Sequence, residues 1–232
     1  MKASQLHVFL CLIFSVALIS CNGDDDTNSI SEESSGEFQG TQEDIANFVS
    51  QDILDTWIEM GLVINTGNTP PVINGVYEMS PRVVESTNIP NDYEPGTEIV
   101  PITFYFENQN NDMLTFDYSD IEAGVSEAAG DLSYISGTGN RFSAFVRATA
   151  NYGDNEAILI QAISGVLTID GFTDTQQALF MFDNKGNVNS VFIENGTGRI
   201  FVDEDGDIEK VESRRPQILK HINRGAATIK LK

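Results

Sequence analysis

The spacing of apolar residues changes once along the chain, from every third or fourth position to every second position. Between Gln42 and Leu62 the apolar residues fall at helical spacing and form a single stripe: Ile45, Phe48, Val49, Ile53, Trp57 and Met60. Thr41 and Asp44 fit a capping box at the start of this stripe. We therefore predict one amphipathic helix within residues 41–64, with Trp57 in the core.

Beyond Pro70-Pro71 the chain alternates between apolar and polar residues, which predicts β-strands. The alternating or wholly apolar runs are Ile102–Phe106, Leu114–Tyr118, Phe142–Ala148, Ala157–Ile169, Val191–Ile193 and Ile200–Val202. Turns rich in Gly and Asn separate these runs, and the similar segments 182–188 and 202–208 are predicted to be hairpin tips. Residues 65–213 are therefore predicted to be mainly β, as an antiparallel meander closed into a calycin-like barrel, with a β-sandwich as the alternative.

The aromatic content bears on what fills this barrel. The chain has 14 Phe, and only Phe9 and Phe14 precede Cys21. The remaining phenylalanines are numerous enough to fill a small barrel, so the composition favours a solid interior. A solid barrel would place function on loops or on the C-terminal tail, whereas an internal cavity would make the domain a binding module.

The first residues are typical of a secreted protein. Lys2 precedes an uncharged, mainly apolar run from Val8 to Ile19, which is too short to span a bilayer and fits a signal peptide. The run ends in Leu18-Ile19-Ser20-Cys21, which resembles the lipobox of bacterial lipoproteins. This resemblance implies signal-peptidase recognition at Leu18, Ile19 and Ser20, removal of residues 1–20, and lipid attachment at Cys21.

Residues 21–40 are polar and acidic, and they are predicted to be a disordered tether. Asp24-Asp25-Asp26 resembles the acidic export tag of surface-exposed lipoproteins of Bacteroidota. That resemblance implies an outer-membrane location facing the cell exterior, with attachment facing the periplasm as the alternative. Cys11 would leave with the leader and Cys21 would carry lipid, so the mature domain would have no free thiol, disulfide or cysteine metal site.

Charge excludes one class of partner. With 13 Lys+Arg against 35 Asp+Glu the net charge is −22, which is unfavourable for binding nucleic acid. Residues 214–232 form a basic tail without acids: Arg214, Arg215, Lys220, Arg224, Lys230 and Lys232. The tail either contacts an anionic surface or partner, or folds back on the acidic body as an edge strand.

Catalytic candidates are few. His221 is the one histidine that follows the leader, and the sequence contains no nucleophile elbow, phosphate loop or dinucleotide fingerprint. A pair of carboxylates that hydrolyses glycans stays open as a less favoured alternative, because no two acids stand out. A less favoured calcium site would use Asp203, Asp205, Asp207 and Glu212, whose spacing partly follows an EF-hand loop. We otherwise expect no cofactor, metal or catalytic residue.

One further stretch carries a family resemblance. The segment from Gly67 to Pro81, with its Pro70-Pro71, Gly75-Val76-Tyr77 and Ser80-Pro81 steps, resembles uncharacterised Bacteroidota lipoproteins in which a helix precedes a β domain. The resemblance implies location and architecture and supplies no catalytic residues. The expected function is therefore non-catalytic. A membrane-anchored domain would bind or scaffold an unknown small molecule, glycan or surface protein.

Replacement of Cys21 by Ala tests the anchor. We expect the Cys21→Ala protein to leave the membrane fraction and to lose all incorporation of radiolabelled fatty acid, because the thiol is the predicted acylation site. The Cys11→Ala protein is the matched control and should stay membrane-bound. Continued acyl labelling of Cys21→Ala would contradict the lipobox interpretation.

Overall fold

The computed structural model describes residues 37–123 and 126–212. The helices are α1 (Gln42–Val49) and α2 (Gln51–Glu59). The strands are β1 (Asn68–Thr69), β2 (Gly75–Met79), β3 (Arg82–Thr87), β4 (Glu98–Ile99), β5 (Ile102–Asn110), β6 (Thr115–Glu122), β7 (Ser126–Thr138), β8 (Arg141–Tyr152), β9 (Asn155–Leu167), β10 (Gly171–Asp183), β11 (Gly198–Asp203) and β12 (Asp207–Val211). Within these described residues, neither helix is long and apolar enough to cross a membrane.

The predicted single helix is two helices, and the prediction of one continuous helix is wrong. Its start is confirmed: the Thr41 hydroxyl accepts the Asp44 N–H at 3.1 Å, and the Asp44 carboxylate accepts the Thr41 N–H at 3.0 Å. Ser50 then breaks the helix with φ of +79°, and its side chain caps α2 by accepting the Ile53 N–H. The apolar stripe continues across this break because both helices bury the same side, including Trp57 at 0% exposure.

The predicted antiparallel meander, closed on itself, is confirmed. Eight strands form a ring in the order β12-β2-β5-β6-β7-β8-β9-β10, which the β10–β12 pairing closes. Every pairing within the ring is antiparallel. The ring is not a regular barrel, because β11, β3 and β4 form an additional arm beside β10. The short β1 lies in parallel against the end of β7.

The additional arm begins where a turn divides the strand beside β10 into two collinear strands, β11 and β12. β11 and β12 run in the same direction along β10, pairing with residues 176–180 and 171–173 respectively. The turn at 203–206 between them lies opposite an irregularity in β10, where Asp174 has φ of +51°. The predicted hairpin tip at 202–208 is therefore wrong, since the chain continues in the same direction. Residues 191–193, predicted as a strand, lie in the connection between β10 and β11.

Closure of the ring depends on a close backbone approach at Gly171. Gly171 pairs with Glu209 of β12, and a Cβ at this position would lie 1.9 Å from the Ile208 carbonyl oxygen. Any side chain here would push β12 away from β10. The fold therefore requires glycine at this position.

The segment that follows α2 covers the outer face of the ring. Residues 61–65 bind three polar side chains that point outward from β8, β9 and β10. The Ser143 hydroxyl accepts the Asn65 N–H at 2.8 Å, the Ser164 hydroxyl donates to the Val63 carbonyl, and Gln176 accepts the Val63 N–H at 2.8 Å. These bonds explain why polar residues interrupt apolar strands, and they fix the helices against the sheet.

The inside of the ring is filled with aromatic residues at one end. Tyr77 stacks on Phe172 with ring centroids 3.9 Å apart, and Phe106 packs against both rings. Phe116 and Phe142 extend this cluster, and all five residues are buried. Aromatic packing of this kind contributes both apolar burial and edge-to-face attraction.

Replacement of Trp57 by Ala tests how strongly the helices stabilise the ring. We expect the free energy of unfolding to fall by about 3–5 kcal/mol, because a fully buried indole leaves a cavity that its neighbours refill only in part. The adjacent Ile58 is 44% exposed, so Ile58→Ala should cost less than about 1 kcal/mol. Urea denaturation of the purified chain measures both values. Equal losses would show that the helices do not bury Trp57 against the sheet.

Candidate functional site

The end of the ring opposite the aromatic cluster contains a cavity of about 620 Å³. Its walls are mostly apolar, and they include Ile99, Ile102, Leu159, Leu179, Met181 and Phe201. Its polar and charged lining residues are Glu98, Asp120, Glu122, Ser126, Gln161, Gln177 and Arg199, with Tyr93 and Tyr152 beside them. The volume lies within the range of small-molecule sites in proteins.

The cavity differs from the solid interior that the composition favoured. The aromatic residues are numerous enough, but pairing in the sheet places many of them at one end. At the other end the inward positions of β7, β8 and β9 include the small residues Ala128, Ala150 and Ala157, which lie on neighbouring strands in register. Small side chains side by side on neighbouring strands leave space, so the cavity results from register and not from a shortage of apolar residues.

A buried hydrogen-bond network crosses the ring at the inner end of the cavity. Asp120 of β6 accepts two hydrogen bonds on the same oxygen, Oδ2: from the Tyr118 hydroxyl at 2.8 Å and from Gln161 Nε2 at 2.9 Å. Gln161 of β9 in turn accepts from Gln177 Nε2 of β10 at 2.9 Å. Because β6 and β9 are not neighbours in the ring, these side chains join opposite walls. The network therefore separates the aromatic cluster from the cavity.

Two acceptors of this network have no donor. Gln177 Oε1 is buried without a hydrogen-bond partner among the described residues. Asp120 Oδ1 also receives no hydrogen bond from the part of the chain that the structure describes, since both of its donors bind Oδ2. Gln177 and Asp120 both line the cavity. Gln177 Oε1 is the buried one of these two acceptors, and a buried acceptor without a donor costs free energy, so a donor from a bound molecule would stabilise the site.

Burial raises the pKa of Asp120 to about 6, and the neighbouring Glu122 carboxylate adds to the rise. The bonds from Gln161 and Tyr118 and the positive charge of Arg82 lower this pKa in part. Burial also raises the pKa of Tyr118 well above its ordinary value, so its hydroxyl stays a donor. The cavity therefore has a carboxyl group that changes charge just below neutral pH.

A buried ion pair lies beside Asp120. Arg82 Nη1 of β3 donates to Glu122 Oε1 of β6 at 2.6 Å, and the Ser126 hydroxyl donates to Glu122 Oε2 at 3.0 Å. Arg82 is fully buried, and its guanidinium lies over the Phe201 ring at 3.9 Å. Its Nε and Nη2 have no partner within the described chain. Two carboxyl groups thus face one guanidinium, and Arg82 itself is outside the cavity wall.

Two connections form the mouth of the cavity, and Arg199 joins them to the ring. Arg199 binds Asp92 of the β3–β4 connection through both Nε and Nη2, each at 2.7 Å, and its guanidinium lies 5.2 Å from the Tyr93 ring centroid. Burial alone would raise the pKa of Asp92, but the bonds from Arg199 and Thr87 outweigh burial and lower it. Asp92 thus neutralises the charge of Arg199, the one basic residue of the described lining.

The β10–β11 connection, residues 184–197, is folded by its own asparagines. Asn187 accepts the Phe192 N–H at 3.0 Å and donates to the Phe192 carbonyl at 2.8 Å, while Asn184 donates to the Ile193 carbonyl at 3.1 Å. These bonds take the place of strand pairing. They present Val191, Phe192 and Ile193 to the cavity, which explains why an apolar run that predicted a strand lies in a loop.

The predicted calcium residues are not brought together as a metal site. In residues 37–123 and 126–212 no group of three or more His, Cys, Asp or Glu side chains could hold a metal ion. Asp203 is buried and accepts the Ser80 N–H at 2.8 Å, and Asp205 accepts the Asp207 N–H at 3.0 Å. These carboxylates stabilise the turn between β11 and β12, and Glu212 is exposed at the end of the described chain.

The other predicted site residues lie outside the described chain. They are Leu18, Ile19, Ser20, Cys21, Asp24, Asp25 and Asp26, together with the basic tail at 214–232. The anchor, the export tag and the role of the tail therefore stay predictions.

Sequence reasoning missed the polar residues of the cavity, although three of them carried a signal. Asp120 and Glu122 continue the inward series of Phe116 and Tyr118 at every second position, and Gln161 interrupts an otherwise apolar run. A polar residue at an inward position indicates either a buried network or a ligand site. Arg82 and Gln177 offered no comparable signal, since the side of the sheet to which their side chains point depends on strand pairing.

Comparisons with known proteins give no relative for this chain: no protein-family model, no curated protein and no solved structure matches it significantly.

Replacement of Asp120 by Asn tests its burial. Asp120 binds its proton more tightly in the folded chain than in the unfolded chain, so ionisation lowers the free energy of unfolding as pH rises through about 4 to 6. Relative to Asp120→Asn, the wild type should lose roughly 2–3 kcal/mol of stability between pH 4 and pH 7. Urea denaturation at several pH values measures the difference.

The matched control is Asp117→Asn, which lies on the same strand with an exposed side chain. This variant removes the same charge from an exposed side chain, so it separates the effect of charge from the effect of burial. A difference for Asp120→Asn that stays constant over the pH range would contradict the burial of an ionisable carboxyl group.

Proposed function

We propose that this protein is a non-catalytic, lipid-anchored outer-membrane protein, displayed on the cell surface, that binds a small and mainly apolar molecule inside its ring of strands. The cavity of about 620 Å³ supports this proposal, because it combines apolar walls with a few converging polar groups. The lipobox and acidic tag of the sequence support the location. A binding role is favoured over a filled, purely structural domain, because a filled domain would not leave this volume empty.

The walls define the kind of molecule that fits. Apolar side chains of β4, β5, β9, β10 and β11 would remove the hydrocarbon part of a ligand from water, at about 25 cal/mol per Å² of apolar surface buried. The loops that carry Tyr93 and Phe192 lie at the mouth and would contact the outer end of the ligand. This arrangement favours a molecule that enters lengthwise from the mouth toward Asp120.

Hydrolysis of glycans is the second candidate, and one observation favours it: the two carboxyl groups of Asp120 and Glu122 line the same cavity. Their contacts favour binding instead. Glu122 is held by Arg82 and Ser126, and Asp120 by Tyr118 and Gln161, so both groups already serve as acceptors in fixed networks. The largely apolar walls also offer few partners for the hydroxyl groups of a sugar.

Filling the cavity with a side chain tests the proposed function. Ala150 is buried and lines the cavity, so Ala150→Trp should weaken binding of the neutral fluorescent dye N-phenyl-1-naphthylamine at least about tenfold, by occupying the space. Asn151→Trp adds the same side chain at the next, exposed position of β8 and should leave the dye affinity unchanged. Titration of dye fluorescence measures both affinities.

A second cavity variant distinguishes loss of the binding site from misfolding of a single variant. Leu179→Trp places the indole two strands away from position 150, on β10, and should also weaken dye binding. Circular dichroism checks that each variant keeps its strand content. If the folded wild type binds no dye, or if both folded cavity variants bind it as the wild type does, the cavity is not a binding site.

A further inference from the structure

The charges around the cavity are unbalanced in one direction. Its described lining contains the carboxyl groups of Glu98, Asp120 and Glu122, and its basic residue Arg199 is already paired with Asp92. The ion pair with Arg82 balances one carboxylate of the Asp120–Glu122 pair and leaves the other unbalanced. Below neutral pH Asp120 relieves this excess by taking up a proton, whereas above it the site carries a net negative charge in a water-poor interior.

The hydrogen-bonding groups are unbalanced in the same direction. Gln177 Oε1 and Asp120 Oδ1 are acceptors without donors from the described residues, and both residues line the cavity. The Ser126 hydroxyl, a donor in the lining, is already used by Glu122. A ligand group that supplies several donors and a positive charge would satisfy these atoms, whereas a carboxylate would meet acceptors and negative charge.

We propose that the ligand of this cavity is an amphiphilic primary amine, whose ammonium group binds at Asp120, Glu122 and Gln177 and whose hydrocarbon part lies along the apolar walls. The inference rests on the proposed function and specifies its ligand class. An ammonium group has three donors and one positive charge, which match the two acceptors without donors and the unbalanced carboxylate. The whole chain, at −22, would also attract a cationic ligand to the mouth.

Arg82 is the feature that could favour an anionic ligand instead. Its Nε and Nη2 are donors without partners, but its guanidinium is fully buried against the Phe201 ring and is not part of the cavity wall. An anion in the cavity would meet Glu122 and Asp120 before it reached Arg82. A decanoate probe tests this alternative directly.

Competition among three amphiphiles of equal chain length tests the proposal. Decylamine, decanol and decanoate, each below its micelle concentration, are titrated against the full chain with bound N-phenyl-1-naphthylamine at pH 8. We expect decylamine to displace the dye at a concentration at least about tenfold lower than decanol, and decanoate to be the weakest, because a charge-assisted hydrogen bond distinguishes the head groups.

Asp120→Asn keeps the shape of the side chain and removes its charge. Measured within this variant, decylamine should displace the dye at a concentration within about threefold of that of decanol, because the ammonium group loses its charged partner. Asp117→Asn, exposed on the same strand, should keep the full preference for decylamine. If decylamine keeps its advantage in Asp120→Asn, the ammonium site is not at this carboxylate and the proposal is wrong.

A pH series on the wild type gives a test without substitution. Decylamine stays protonated between pH 5 and pH 8, whereas Asp120 loses its proton in this range with Tyr118, Gln161, Glu122 and Arg82 around it. The apparent affinity for decylamine should therefore rise as pH increases through about 6, and the affinity for decanol should not.

The outcomes separate the two proposals. Absence of dye binding and of displacement by every probe would overturn the proposed function together with this inference. Dye binding with equal displacement by the three probes, or with decanoate as the strongest, would overturn the amine specificity alone and leave the cavity as a binding site.

Discussion

Closure of the ring by β12 is the constraint on which the rest of the structure depends. This five-residue strand pairs with β10 on one side and with β2 on the other, and it approaches β10 so closely that position 171 accepts only glycine. Without it, β2 and residues 171–173 of β10 would have unpaired edges, and the inward side chains would meet water. An open sheet would have neither an aromatic cluster nor a cavity. The proposed function therefore depends on the few residue pairs that join β12 to β10 and β2, far from the site.

The closed ring contains two regions with different physical properties. At one end aromatic rings pack tightly and stabilise the fold, while at the other end small side chains leave a cavity with charged groups in its wall. The network of Asp120, Gln161 and Gln177 forms the boundary and joins opposite walls. It keeps a carboxyl group almost entirely out of water and leaves Gln177 Oε1 buried without a partner among the described residues, which costs stability. Such a cost is expected where a site is arranged for a ligand, because the ligand supplies the missing partners.

Much of the fold was predictable, and the failures share a cause. Helical spacing around Trp57, alternation in β5, β6 and β8 and the apolar run of β9 are local properties, so the helical region and the meander were predicted correctly. The break at Ser50, the collinear β11 and β12, and the loop at 191–193 all went against the local pattern. In each case a side chain binds a backbone N–H that the local pattern would have paired within a helix or strand. The Ser50 side chain caps a new helix, Asp203 binds Ser80, and Asn187 binds Phe192.

The sequence by itself determined the strand-forming segments, the start of the helix, the strong negative charge and the absence of cysteine beyond Cys21, because each follows from residue identity or short-range spacing. Only the tertiary structure decided which acids meet and whether the interior is full. In the sequence, Asp120 and Glu122 are two among thirty-five acidic residues. Strand pairing places both side chains inside the ring, beside Arg82 and Gln161. The number of aromatic residues was known from the sequence, but their distribution along the ring was not predictable. Strand register decides that distribution, and it is set by contacts between residues distant in sequence.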